Sequence, residues 1–180
     1  MKSTLQLSLL LLTLVSFNVA AQTEPCRTDI VETAPASRFT INGDGTVTDR
    51  QTSLIWARCP QGLSGEGCIG DTQLIFTWPD ALNLNGTLPT SVVDGPTDWR
   101  LPNIKELQSL VERSCRNPAI NAMVFPNTFP SSTSAARFFW SSSPETDAPD
   151  LAWGVNFELG SVTLVGRNSE RGVRLVRGGQ

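Results

Sequence analysis

The spacing of hydrophobic and polar positions changes several times along the chain. It opens with a continuous apolar stretch, Leu9-Leu10-Leu11-Leu12-Thr13-Leu14-Val15, shorter than the about 20 apolar residues that span a bilayer. Residues 22–37 follow without periodicity, rich in Thr, Ala and Pro, and have the composition of an extended arm. Phe39 and Ile41 then alternate with polar neighbours, Asn42-Gly43-Asp44-Gly45 interrupts, and Thr46-Val47-Thr48 returns. Alternation on both sides of an Asn-Gly pair predicts a β-hairpin, because those residues accept the positive φ that such a turn needs. Ser53-Leu54-Ile55-Trp56-Ala57 predicts a second buried strand running into Cys59.

The period then becomes helical. Thr77 caps a short helix, Asp80 stands where a capping box needs its acid, and Asn85-Gly86 supplies a stop. Past Pro89, Gly95 and Pro96, Asn103 caps a second helix with Glu106 at its third position, and Ile104, Leu107, Leu110 and Val111 form one apolar stripe ending near Cys115. Residues 117–136 are irregular and rich in Pro, Ser and Thr; their Val124, Phe125 and Phe129 either dock a partner or tuck into the core, the favoured outcome. Strand signals return at Phe138–Ser141, Ala152–Phe157, Ser161–Val165 after a turn at Leu159-Gly160, and Gly172–Val176. Two short helices in the first half and a mainly antiparallel sheet make an α+β protein.

Composition bears on compartment and chemistry. Lys2, the apolar stretch, a polar break at Ser16 and Asn18, and small residues before Gln22 describe a signal peptide over residues 1–21. Without Lys2 the chain keeps 13 basic against 17 acidic residues, a net charge of −4. Such a balance lacks the field that draws nucleic acid or anionic membranes. The expectation is an exported protein, periplasmic, at the cell surface or secreted, with no membrane span once the leader is gone. The chain has no His, so triads and zinc sites built on imidazole are excluded.

Four cysteines, Cys26, Cys59, Cys68 and Cys115, form an even set with three possible pairings. Cys59 and Cys68 flank a polar, Gly-rich stretch that can turn back on itself, which pairs them with each other and leaves Cys26 to tether the arm to Cys115. The short loop contributes roughly 3 kcal/mol and the long one roughly 4–5 kcal/mol in the chain-entropy picture. No C-x-x-C pair favours zinc, and the turn at Asn42–Asp49 lacks the Gly and Glu of a calcium loop, with Val47 and Ser53 in their places. No metal or cofactor is expected.

Six blocks in register carry a resemblance. They are Arg38-Phe39-Thr40 with Asn42 through Asp49; Leu54-Ile55-Trp56; Asp98-Trp99-Arg100-Leu101-Pro102-Asn103 with Lys105-Glu106-Leu107; Trp140-Ser141-Ser142; Ala152-Trp153 with Val155-Asn156-Phe157; and Val173 through Gly179. From Arg38 to the end the chain resembles the Legionella collagen-like protein C-terminal domain family. The resemblance implies a C-type-lectin-like fold and a surface or periplasmic role. The family's named member is a trimeric adhesin for sulfated polysaccharides, although this chain has no collagen-like period of glycines.

A non-catalytic, adhesin-like binding module for polysaccharide or a surface protein, with scope to oligomerise, is therefore the expected function, with no catalytic residues. An accessory domain of a surface appendage is the alternative, and a carboxylate-based glycan enzyme a further one. The binding candidates are Arg167 and Arg171, placed in the loop before the last strand, where guanidinium forks suit sulfate and carboxylate. Asn168 adds hydrogen bonding to sugar hydroxyls, and Trp78 is the tryptophan least secured in the core. Arg174 and Arg177 are expected on opposite faces of the last strand, one of them paired with a carboxylate such as Asp98.

Overall fold

A computed structural model describes residues 26–129 and 134–178. The leader expected at 1–21 and the start of the arm at 22–25 lie outside the described residues, as do 130–133 and 179–180.

Alternation and turn chemistry produce the expected hairpin. β1 (Phe39–Ile41) pairs antiparallel with β2 (Thr46–Asp49), with Ile41 opposite Val47 and Phe39 opposite Asp49. Gly43 and Gly45 hold the turn at φ +81° and +83°. β3 (Ile55–Ala57) adds to β2. The stretch between Cys59 and Cys68 continues into a small ladder of β4 (Leu63–Ser64) and β5 (Gly70–Asp71). Then come β6 (Ile75–Phe76), α1 (Trp78–Leu82), α2 (Ile104–Gln108), β7 (Phe138–Pro144), β8 (Leu151–Asn156), β9 (Ser161–Gly166), β10 (Arg171–Gly172) and β11 (Val176–Arg177). One sheet runs β1-β2-β3-β11 and the other β6-β10-β7-β8-β9. Among the described residues only β10 with β7 is parallel. The molecule is an α+β protein stapled by two disulfides, Cys26–Cys115 and Cys59–Cys68.

Successive strand residues point to opposite faces, so Phe139 and Trp140 enter different cores. Phe139, Val155 and Phe157 pack with Trp56, Leu107 and Phe125, while Trp140, Ala152 and Val165 pack with Trp99, Leu101 and Leu175. The five-stranded sheet thus has an apolar cluster on each face. Val124 and Phe125 are buried and Phe129 packs against the first cluster, so these side chains serve the core.

The structure corrects the last strand. Gly172–Val176 is not one strand: β10 belongs to the five-stranded sheet and β11 to the other, with Val173, Arg174 and Leu175 crossing between them. All three are buried, and a crossing segment covered on all sides has no reason to alternate. Arg177 meets Asp98 at 3.5 Å, as expected of one of the two arginines. Arg174 pairs with no carboxylate among the described residues.

Both helices are shorter than expected. On α2, Asn103 and Glu106 form the full capping box, but the helix stops at Gln108; Leu110 and Val111 continue the buried stripe in a turn, and Val111 bridges to Ile120. Cys115 therefore staples the following loop, not the helix end. On α1 the Asp80 carboxylate accepts from the Thr77 hydroxyl at 2.5 Å instead of completing a box, and the helix ends at Leu82. Past the helix end the Asn85 side chain accepts from the Leu101 N–H at 2.9 Å.

Three carboxylates hold this frame together. Glu112, 2% exposed, accepts from the Thr33, Ala34 and Ser114 N–H groups and the Ser114 hydroxyl, tying the arm to the loop that carries Cys115. Asp49 lies against Arg38, and Glu106 against Arg100 at 2.7 Å. Burial alone raises all three carboxyls, but their hydrogen bonds outweigh it and hold each below its ordinary value of 3.8 for Asp or 4.5 for Glu. Depressed folded-state values mean that the stabilisation is fully present above those ordinary values and is lost as pH falls through the folded-state ones. Urea unfolding followed from pH 7 to pH 2 is expected to show a flat stability near neutrality and a steep fall below about pH 4; Glu112→Gln should flatten part of that fall.

Candidate functional site

The strand β9 ends in a turn at Arg167, and backbone bonds fix that residue before any side chain acts. Its N–H donates to the Asp150 carbonyl at 2.8 Å, and its carbonyl accepts from the Trp78 N–H at 2.9 Å. The first residue of α1 is thereby set beside the turn. The Trp78 indole N–H donates to the Ser141 carbonyl at 2.8 Å, which locks the ring. Over that ring lies the Arg167 guanidinium, 4.3 Å from its centroid. A cation over an indole face gains about 0.5–2 kcal/mol, depending on how far water is excluded.

Arg167 commits only its Nε, which donates to the Leu151 carbonyl at 3.1 Å. Among the described residues both Nη groups are left without an acceptor. They form the outer edge of a fixed, planar donor pair, the shape that matches two oxygens of a sulfate or carboxylate. The ring of Trp78 is consequently not a bare platform for a sugar; it presents a guanidinium.

Arg171 is not in a loop, as the sequence suggested. It is a residue of β10, opposite Phe76 of β6, because the ladder with β6 forms just after the turn. Its guanidinium lies 5.3 Å from the centroid of Phe138 and donates from Nη1 to the Glu170 carbonyl at 2.6 Å. Burial lowers its pKa below the ordinary guanidinium value. Arg171 sits against Phe76 and Arg167 against Trp78, so the two arginines flank one β6–α1 segment. Asn168 is exposed in the intervening turn. Arg167 and Trp78 are thus brought into contact with Asn168 exposed beside them, while Arg171 is placed on β10 against Phe138.

The other tryptophans divide by burial. Trp56, Trp99 and Trp140 are core residues, and Trp153 is half-buried on β8.

Two features escaped the sequence reading. Arg174 is fully buried, donating to the carbonyls of Ala57 (2.9 Å) and Arg58 and to the Thr128 hydroxyl (3.2 Å), with its guanidinium 4.9 Å from the centroid of Phe125. Burial pushes its pKa down to about 9, so it is charged at neutral pH. The second is a cleft of about 480 Å³ between the β1–β2 turn, the loop that holds Ser64–Glu66, and residues 90–93. Its walls come from three distant stretches of chain, which no local motif announces.

Among the described residues no helix is long and apolar enough to cross a membrane. Comparison with known families gives one result: the family model for the Lcl C-terminal domain matches residues 45–177. No curated protein matches the chain.

Proposed function

We propose, for a chain that belongs to the Lcl C-terminal domain family, an exported, non-catalytic module that binds anionic polysaccharide along the Trp78–Arg167–Arg171 edge. Family membership and two formed disulfides agree with a protein that works outside a reducing compartment. The observation that carries the ligand class is the Arg167 guanidinium, held flat on Trp78 with both Nη groups unengaged among the described residues. A donor pair fixed in advance loses little freedom when a sulfate or carboxylate arrives. Arg171 and the exposed Asn168 extend the contact along the same edge. The C-type-lectin-like character implied by the resemblance suits such a role, and so does the absence of His from the sequence, which removes the most frequent catalytic base.

Chromatography of the leader-free, oxidised protein on immobilised heparin tests this reading. Despite its net charge of −4, the protein is expected to be retained at low salt and to elute as salt screens the contact. The Arg167→Ala/Arg171→Ala variant is expected to pass through while remaining folded, with a stability loss of about 0.5–2 kcal/mol for each ring contact removed. Passage of the parent protein, or equal retention of the variant, overturns the assignment.

A further inference from the structure

We propose that the cleft between the β1–β2 turn, the stapled loop and residues 90–93 is a second, independent ligand site that takes an uncharged saccharide. Its volume, about 480 Å³, lies within the range of small-ligand clefts. The walls are tied to each other. The Arg58 N–H donates to the Gly45 carbonyl at 2.9 Å, the Ser91 hydroxyl reaches the same oxygen at 3.3 Å, and Arg58 Nη1 donates to the Glu66 carbonyl at 2.6 Å. The Cys59–Cys68 disulfide closes the loop that bears Glu66. Gly45 is required at the join: its φ is +83°, and a Cβ there would collide with the Ser91 carbonyl oxygen. A cleft cross-tied in this way exists before its ligand does, which lowers the ordering cost of binding.

The groups facing the cleft suit a polyol ring. Arg58 spends Nε on the Val124 carbonyl (3.2 Å) and Nη1 on Glu66, leaving Nη2 as a donor. The Glu66 side chain is exposed and has no hydrogen bond or ion pair among the described residues, so its carboxylate can accept from two adjacent hydroxyls. The Thr90 hydroxyl accepts from the Gly62 N–H at 2.9 Å and keeps its proton to give. Ile41 and Val93, 46% and 94% exposed, supply aliphatic surface for the C–H face of a ring. The lining holds one guanidinium, Arg58, and two carboxylates, Asp44 and Glu66, which leaves the cleft with a net negative charge. That charge repels sulfate and favours an uncharged sugar. The cleft shares no residue with the Arg167 edge.

Calorimetric titration of the oxidised, leader-free protein with maltose, cellobiose, mannobiose, N-acetyllactosamine and chitobiose tests the proposal. At least one of these neutral probes is expected to bind, with an affinity that does not change between low and high salt. Glu66→Ala should weaken it about tenfold or more, the loss of a charge-assisted hydrogen bond. Val93→Asp, at a position too exposed to matter for folding, should abolish it. Arg167→Ala/Arg171→Ala should leave it intact, which separates this site from the heparin-binding edge. The proposal is overturned if none of the five probes binds, if binding survives both Glu66→Ala and Val93→Asp, or if heparin competes with the bound sugar.

Discussion

Cys26→Ser/Cys115→Ser is expected to cost the domain about 4–5 kcal/mol, because the bridge closes a loop with a sequence separation of 89. In the chain-entropy view that stabilisation comes from restricting the unfolded ensemble. The folded arm retains other ties: Arg27 N–H donates to the Ser114 carbonyl at 2.7 Å, and Thr33 and Ala34 donate to Glu112. The variant should therefore fold with the arm in place while unfolding at much lower denaturant. Urea titrations of the oxidised parent and the variant measure the difference. A loss under about 1 kcal/mol would mean that the unfolded chain is already compact without the bridge. The Cys59–Cys68 bridge, with a separation of 9, should contribute less, roughly 3 kcal/mol, and its removal should loosen the sugar cleft more than the fold.

Arg174→Ala is expected to destabilise the domain by about 3–5 kcal/mol, through three acceptors left without a donor and the cavity behind them. The guanidinium is fully buried, and it supplies hydrogen to the Ala57 and Arg58 carbonyls at the end of β3 and to Thr128. Those bonds and the aromatic rings of Phe125 and Phe139 take the place of a carboxylate. Arg174→Lys keeps the charge but has no planar fork, so it should recover less than half of the loss. Because burial lowers the pKa to about 9 in the folded state, the unfolded chain holds the proton more tightly from there up to the ordinary guanidinium value. Stability attributable to this group therefore rises with pH across that window. Denaturant unfolding with unchanged m-values checks the mutational expectation. A loss below about 1 kcal/mol for Arg174→Ala would mean that water satisfies the exposed carbonyls.

Local chemistry was legible where the chain states it in adjacent residues. Asn42-Gly43-Asp44-Gly45 between alternating segments specified the hairpin, and Asn103 with Glu106 specified the second helix start. The pairing of the cysteines followed from the Gly-rich span between Cys59 and Cys68. Reach was harder to read. The α2 stripe persists in the core after the helix has ended, because Leu110 and Val111 can bury their side chains from a turn as well as from a helix. Val173-Arg174-Leu175 departs from strand alternation because all three side chains are buried as the segment crosses between the sheets. Apolar neighbours on both sides of Arg174 are the signal that its guanidinium goes inward.

The site was legible in part for the same reason. Arg167, Asn168 and Arg171 are neighbours in sequence, but the meeting of Arg167 with Trp78 depends on a backbone bond across the Trp78–Arg167 junction. Spacing alone gave no hint that Arg167 would cover the indole. The cleft at Arg58 and Glu66 was invisible, since it exists only where the 90–93 segment meets the β1–β2 turn and the stapled loop.

The edge reading is tested most directly by resonance mapping of the oxidised domain with a heparin oligosaccharide. The Trp78 indole N–H, already fixed on the Ser141 carbonyl, and the Arg167 Nε–H should shift together and saturate, with Arg171 following and the cleft around Glu66 silent. Saturable shifts confined to another surface, or no shifts at millimolar oligosaccharide, would contradict the claim that the Arg167–Trp78 pair is what holds the ligand.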